Sequence, residues 1–576
     1  MGQLQSIFNL TEICAQHGIE HAILSPGSRC APITLAFTRH PKITTKTISD
    51  ERSAAFIALG MAQYTKKPVV LVCTSGSAAY NYAPAIAEAY YQQIPLLVLT
   101  ADRPPEWIDQ YDGQTIRQEN IYGNHVKASF TLPVDITHND AQWHFYRTIN
   151  EAINKTSQPF GPVHINIPLR EPFYPEEGKK IQFTNDIPVF KEELGIPSLL
   201  PSQLEKLKKD WSQFHNKLIV IGQTDSIDFP INDLTEKYKI PVLGDIISNA
   251  HGNKTVIRHQ DLFLGGHNGK VHQSLQPDLL ITFGKSLISK NLKLFLRKYK
   301  PKAHWHIQPF GKVADTFQSL TNIIRTTPKT FFNTIVDEKD HSLMLQKQGF
   351  FYKTWNIEEQ KAIQQVNEFS TNEPLNELEA YQIVMKILPS ECSLHLANSM
   401  AVRYANFIGL QPQQAKVKVF ANRGTSGIDG SNSTAVGSTL ISDKTTVLLT
   451  GDMAFFYDRN SFWHNYDLPN LKIIVFNNHG GGIFNMIKGP SDQSEYKEYF
   501  ETDQKLSAKS VAQEHGFEYI SCNSTKKLNI ALKDLFESKI TTILEIETTS
   551  EINKKVLQMF KEYFEILDTK TIEQND

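Results

Sequence analysis

Short apolar runs, each closed by glycine, asparagine, serine or proline, recur along this chain and alternate with segments of helical period. In the first third they fall at 21–25, 68–74, 96–100 and 163–167. Between them, 53–64 and 78–91 are alanine-rich and repeat with the period of a helix. The middle third restarts with runs at 218–221, 242–243, 279–283 and 305–307. The last third carries 394–396, 417–420, 447–449, 473–476 and 543–546. Runs apolar on both faces read as strands of parallel sheets covered by helices on each side. A polar stretch at 174–190 reads as a linker, and a charged, strand-poor region at 337–373 reads as helical. The pattern predicts an α/β chain of three successive doubly wound, mostly parallel-sheet domains, at 1–180, 190–335 and 370–576. A length of 576 residues agrees, being too great for a single core.

Composition narrows the class. A net charge of −2 and a pI near 6.8 provide no basic field for nucleic acid. The basic cluster at 297–302 reads as a solvated helix end. Five scattered cysteines without a CxxC pair fit a reducing cytoplasm rather than a disulfide framework or a zinc site. No basic-then-apolar leader pattern opens the chain, and no apolar run is long enough for a membrane span. The expectation is a cytoplasmic protein with small-molecule partners.

Two strand ends carry candidate chemistry. Gly451-Asp452-Met453 closes the run at 447–449, and Asn477-Asn478-His479-Gly480-Gly481-Gly482 closes the run at 473–476. Open parallel sheets bind ligands at such carboxyl ends. One carboxylate, one amide oxygen and a glycine turn suit a hard cation such as Mg²⁺, which completes its octahedron with diphosphate oxygens and water. Either motif alone is an ordinary turn. Far upstream, Glu51 stands at a strand end and opens a small-residue helix; by itself it is a carboxylate complementing the helix dipole.

Taken together these motifs resemble the thiamine diphosphate signature, with Glu51 where such enzymes place the acid that activates the cofactor. Further motifs narrow the resemblance: Ser25-Pro26-Gly27-Ser28-Arg29, Cys73-Thr74-Ser75-Gly76-Ser77, Thr100-Ala101-Asp102-Arg103-Pro104-Pro105 and Gly113-Gln114-Thr115-Ile116-Arg117-Gln118. Asn398-Ser399, Arg403 and Ala421-Asn422-Arg423-Gly424-Thr425-Ser426-Gly427-Ile428-Asp429-Gly430 complete the set. The chain resembles the 2-succinyl-5-enolpyruvyl-6-hydroxy-3-cyclohexene-1-carboxylate synthases, thiamine enzymes of menaquinone biosynthesis. The likeness is strong in the first and last thirds and weak in the middle.

The resemblance implies decarboxylation of 2-oxoglutarate and conjugate addition of the resulting enamine to isochorismate, with thiamine diphosphate as carbanion sink. It implies that Glu51 hydrogen-bonds the cofactor's pyrimidine and favours its imino form, and that Arg403 and Arg423 join it as catalytic residues. It assigns Asp452, Asn478 and the Gly480 carbonyl to Mg²⁺ (or Mn²⁺). It assigns Ser399, Ser426, Ile428, Met453, Ile483 and Phe484 to the cofactor, with Ile428 propping its bent shape. Ser28, Arg29, Arg103, Gln114, Lys290, Ser399, Arg403 and Arg423 fall to substrate. Planar arginine forks suit these carboxylate-rich substrates. A homodimer or homotetramer with the active site at the subunit interface is also implied. Two departures stand out: Met453 replaces the second glycine of the general signature, and Asn291 follows Lys290 where the family has a second basic residue. Alternatives are another 2-oxo acid enzyme, such as an acetolactate synthase relative, and a non-catalytic paralogue. The arginine set argues against the first; intact Glu51, Asp452 and Asn478 argue against the second.

Overall fold

The computed structural model describes residues 2–176, 181–266, 269–336, 342–486 and 489–573, and these build three parallel sheets. The first contains β1 (His21–Leu24), β2 (Thr44–Thr47), β3 (Val69–Cys73), β4 (Leu96–Asp102), β5 (Ser129–Thr131) and β6 (Val163–Pro168), in the order β2-β1-β3-β4-β6-β5. The second contains β7 (Lys217–Ile221), β8 (Val242–Gly244), β9 (Leu279–Phe283), β10 (Ala303–Ile307) and β11 (Asn322–Ile324), in the order β11-β10-β9-β7-β8. The third contains β12 (Ser393–Leu396), β13 (Lys418–Phe420), β14 (Thr446–Gly451), β15 (Leu471–Asn477), β16 (Glu518–Cys522) and β17 (Thr542–Glu547), in the order β13-β12-β14-β15-β17-β16. Counted from its own first strand, the third sheet repeats the order of the first. In both, the topology reverses beside the first strand, so β1/β3 and β12/β14 flank the crevices where such sheets place ligands.

All thirteen apolar runs appear as strands. Four further strands, β2, β5, β11 and β16, carry no such run, and each lies at a sheet edge. Their faces are partly exposed, so their side chains need not be apolar on both sides. The helix expected over 78–91 is split into Ser77–Asn81 and Ala83–Gln92. Pro84 sits in the first turn of the second piece, where its missing N–H costs nothing. The linker has neither helix nor strand over 181–200, and Phe183 packs on the rings of Phe8 and His40. The charged region forms the helix Ser342–Glu368. Positions 177–180 and 337–341 of these two segments lie outside the described residues. No helix among the described residues is long and apolar enough to cross a membrane, and all five cysteines are free and buried.

The first and third sheets are joined through two helices of small residues. Glu51–Thr65 is capped by Asp50, whose Oδ1 accepts from the Ser53 amide at 3.0 Å. It crosses Ser431–Thr439 so closely that a Cβ on Gly60 would lie 2.1 Å from the Thr434 carbonyl oxygen. A Cβ on Gly437 would lie 2.1 Å from that of Ile57. Backbone meets backbone here, and alanine-rich surfaces make that approach possible.

Candidate active site

The carboxyl ends of β12, β14 and β15 open into one cavity of about 400 Å³. Eleven of the residues expected in the site line it: Ser399, Arg403, Arg423, Ser426, Ile428, Asp452, Met453, Asn478, Gly480, Ile483 and Phe484. Asp452 follows β14 and is 2 % exposed. Its carboxylate accepts from the amides of Met453 and Gly480, each at 2.8 Å, and from Gln504 Nε2 at 2.7 Å. Burial nevertheless pushes its pKa up to about 6. Beside it, Asn478 donates from Nδ2 to Glu377 at 2.6 Å, while its Oδ1 is buried with no donor. An orphaned amide oxygen costs stability unless something electropositive meets it.

The glycine turn brings a third oxygen. The Gly480 carbonyl accepts from the Gly482 amide at 3.0 Å and keeps a second lone pair free. A Cβ on Gly480 would meet the Glu501 carbonyl oxygen at 2.9 Å, and one on Gly482 would meet Asn478 Nδ2 at 2.9 Å. Side chains are excluded from this turn by close backbone approach. A buried carboxylate, an orphaned amide oxygen and a carbonyl form a donor set of the chemistry a hard divalent cation takes. Among the described residues no cluster of three His, Cys, Asp or Glu side chains offers a competing metal site.

Across the cavity stand two guanidiniums that make no salt bridge among the described residues, with Asp261 acting on Arg403 and Asp245 and Glu88 acting on Arg423 only through space. Arg403 Nη1 donates to the Ser399 carbonyl, and Arg423 Nη1 donates to Asn398 Oδ1 at 2.8 Å; Arg423 Nε is buried and unpartnered. Burial lowers the pKa of both, and the charge of Arg403 adds to the effect at Arg423. Paired half-buried cations of this kind are stabilised by an incoming carboxylate. Ser399 (φ 70°), Ser426 (φ 62°) and His479 (φ 63°) hold left-handed backbone around the same cavity. Such strain concentrates where surrounding structure enforces it for a ligand.

The remaining expected residues other than Lys290 gather at the crevice of the first sheet, not in this cavity. Arg29, 6 % exposed, donates from Nη1 to the Leu169 carbonyl at 2.9 Å and lies over the Phe173 ring. Burial, then the nearby Arg103 charge, lowers its pKa. Arg103 pairs with Asp112 at 2.7 Å and donates to the Gly113 carbonyl, next to exposed Gln114. Ser28 is exposed on the turn before Arg29. Glu51 is half-buried at its helix start, with Asn81 Nδ2 at 3.5 Å. Lys290 is exposed and lines neither set. Asn291 holds the Asp261 segment instead, its amide donating to Asp261 Oδ1 at 2.8 Å and its Nδ2 to the Asp261 carbonyl at 2.7 Å. Lys293, one turn along, lines a second cavity of about 390 Å³ that shares Arg423 and Ser426.

Sequence reasoning missed two buried glutamates. Glu377 lines the cavity, and burial together with the nearby Asp452 charge pushes its pKa up to about 7. Glu88, 1 % exposed, reaches from the first domain to the loop at 421–430. It accepts from the Gly424 amide at 2.7 Å and from the Thr425 amide and hydroxyl at 2.6 Å each. Asn398 Nδ2 pins both ends of the same loop, at the Asn422 and Gly427 carbonyls.

Comparison with known proteins agrees with this layout. Residues 9–121 match the thiamine pyrophosphate enzyme N-terminal TPP binding domain. Residues 200–396 match the middle domain of thiamine pyrophosphate enzymes, and 401–546 the C-terminal TPP binding domain. A protein of Cytophaga hutchinsonii named 2-succinyl-5-enolpyruvyl-6-hydroxy-3-cyclohexene-1-carboxylate synthase is 46% identical, over 99% of this chain and 100% of its own length. Proteins of the same name from Flavobacterium psychrophilum and Bacteroides fragilis are 41% and 34% identical, over 95% and 97% of this chain and 97% and 98% of their own lengths.

Proposed function

From the premise that this chain belongs to the 2-succinyl-5-enolpyruvyl-6-hydroxy-3-cyclohexene-1-carboxylate synthase family of thiamine diphosphate enzymes, we propose how its residues share the reaction. The enzyme is thiamine diphosphate-dependent and forms a carbon–carbon bond in menaquinone biosynthesis. It joins 2-oxoglutarate to isochorismate with loss of CO₂. When bound, the cofactor supplies the electron sink that lets a 2-oxo acid lose CO₂ and its remaining carbons attack an acceptor.

Asp452, Asn478 Oδ1 and the Gly480 carbonyl hold Mg²⁺ or Mn²⁺, which grips the diphosphate. Ile428, Met453, Ile483 and Phe484, with Ser399 and Ser426, wall the cofactor and keep water from it. Glu51 holds the activating proton at the cofactor's pyrimidine ring. Arg403 and Arg423 receive substrate carboxylates on one side; Ser28, Arg29, Arg103 and Gln114 receive them on the other. Lys290, exposed and outside both sets, adds a further cation for a substrate carboxylate. The two sets meet when a second copy brings its Glu51 side to this cavity, giving a homodimer, or a homotetramer built from such dimers. Exposed Tyr80, Trp107 and Tyr111 beside the first set, and Phe484 and Tyr499 beside the second, supply apolar surface for that meeting. The compartment is the cytoplasm.

One observation supports this reading most: the orphaned Asn478 oxygen and buried Asp452 share a cavity with two guanidiniums that make no salt bridge among the described residues. Two dicarboxylate substrates match that excess of cations better than a monocarboxylate such as pyruvate. The test supplies thiamine diphosphate, Mg²⁺ and 2-oxoglutarate, with and without isochorismate, and follows isochorismate absorbance and CO₂ together. Coupled consumption is expected. CO₂ release that leaves isochorismate untouched would move the enzyme to another acceptor.

A further inference from the structure

Glu377 has no place in the reaction as described, yet it is buried at the cavity and bonded directly to Asn478. It opens the helix Glu377–Ile387, capped by Asn376, whose Oδ1 accepts from the Glu379 amide at 3.0 Å. Its own amide donates to Asn553 Oδ1 at 2.9 Å, and Asn553 Nδ2 donates to Thr548 Oγ1 at 3.0 Å. The Thr548 amide in turn donates to the Asn477 carbonyl at 3.0 Å. Asn477 precedes Asn478, and Asn478 Nδ2 donates back to Glu377 Oε1 at 2.6 Å. Five residues from two strand ends and two helices thus close a ring that ties the Glu377 backbone to its carboxyl, which is buried with the residue 3 % exposed.

The consequence lies in the symmetry of an amide. Asn478 could present either its oxygen or its NH₂ to the cavity, and the two faces have nearly the same shape. Glu377 Oε1 accepts from the Asn478 NH₂ at 2.6 Å, so Glu377 captures the NH₂ and turns Oδ1 the other way. That oxygen is the one left buried without a donor, in the cavity it shares with Asp452 and the Gly480 turn. The reverse orientation would set an amide oxygen against a carboxylate and an N–H against the cation position. We propose that Glu377 is a positioning residue for the metal, locking the Asn478 side chain with its oxygen toward the cation. The inference rests on the metal assignment of the proposed function and extends it to a residue outside the ligand set.

Partners that orient a metal's ligands change its affinity by about 10- to 100-fold when removed. The experiment titrates Mg²⁺ into the full-length chain with thiamine diphosphate present and reads binding by calorimetry, with thermal unfolding of the cofactor-free chain as a fold check. Glu377→Leu is expected to weaken Mg²⁺ by about 10- to 100-fold. Asn478→Asp, which sets two carboxylates together, should weaken it as well. The double variant Glu377→Gln with Asn478→Asp rebuilds the pair with donor and acceptor exchanged, and should bind Mg²⁺ more tightly than Asn478→Asp alone. A purely structural Glu377 would lower the unfolding temperature without that rescue. Unchanged Mg²⁺ affinity in a folded Glu377→Leu chain, or no gain in the double variant, overturns the proposal. If the unaltered chain takes up neither Mg²⁺ nor thiamine diphosphate, the metal assignment itself falls before any variant is compared.

Discussion

Arg423 shows how much a single side chain can be asked to do. Its guanidinium spends one N–H on Asn398 Oδ1, leaves Nε buried and unpartnered, and makes no salt bridge among the described residues, Asp245 and Glu88 acting on it only through space. A lysine there would keep the charge and lose the fork. One charge-assisted hydrogen bond is worth about 1.5–3 kcal/mol, or about 10- to 100-fold in rate. Arg423→Lys is therefore expected to lower kcat/KM for the carboxylate substrates by about that factor, with thiamine diphosphate affinity unaltered. Steady-state kinetics beside a cofactor titration checks both halves; a loss below about threefold would mean the fork is not used. Most residues of this cavity were legible in the sequence because they sit in motifs at strand ends. Glu377 and Glu88 were not. Each is an ordinary helical glutamate by its neighbours, and acquires meaning from partners 101 and more than 330 residues away. Lys290 stands exposed and outside the cavity, since its place in a motif says nothing of the direction its helix turns it.

Elements were legible in proportion to their burial. Central strands such as β3, β4, β14 and β15 are covered on both faces and announce themselves as apolar runs. The edge strands β2 and β16 expose part of each face, so no single periodicity marks them. The crossing of Glu51–Thr65 and Ser431–Thr439 was half visible: the small residues could be read, their partner could not. This crossing carries a definite expectation. In an isolated helix, glycine to alanine gains about 1 kcal/mol from propensity. At Gly437 the new methyl would sit 2.1 Å from the Ile57 carbonyl oxygen, a backbone atom that no rotamer change can move. Overpacking of this kind costs about 1–3 kcal/mol, so the clash wins. Gly437→Ala should lower the unfolding temperature, whereas Gly195→Ala, with open space around its Cβ, should leave it within error. A Gly437→Ala chain as stable as the parent would show that the two helices separate freely. Since Glu51 starts one of these helices, the same variant should also lower turnover.

At the scale of the whole molecule, the repeated strand order of the first and third sheets creates two crevices of the same kind in one chain. One gathers Glu51, Arg29 and Arg103; the other gathers Asp452, Asn478, Arg403 and Arg423, and none of the residues lining its cavity precedes Glu377. On the proposed reading neither half suffices alone, because the acid at the cofactor's ring and the metal at its diphosphate would act on one molecule. An isologous pairing of two chains across a two-fold axis would join each half to its complement and make two complete sites. A decisive consequence follows for mixed assemblies. Glu51→Gln and Asp452→Ala chains should each be inactive alone, one lacking the ring acid and the other the metal carboxylate. Refolded together, half of the dimers are mixed, and each mixed dimer holds one site with both residues intact and one with both altered. Activity should recover to about a quarter of that of the unaltered enzyme at equal chain concentration, the statistical limit for sites shared across an isologous interface. Sites completed within a single chain would give no recovery at any mixing ratio. Recovery that vanishes on dilution, while the chains stay folded, would further tie activity to assembly.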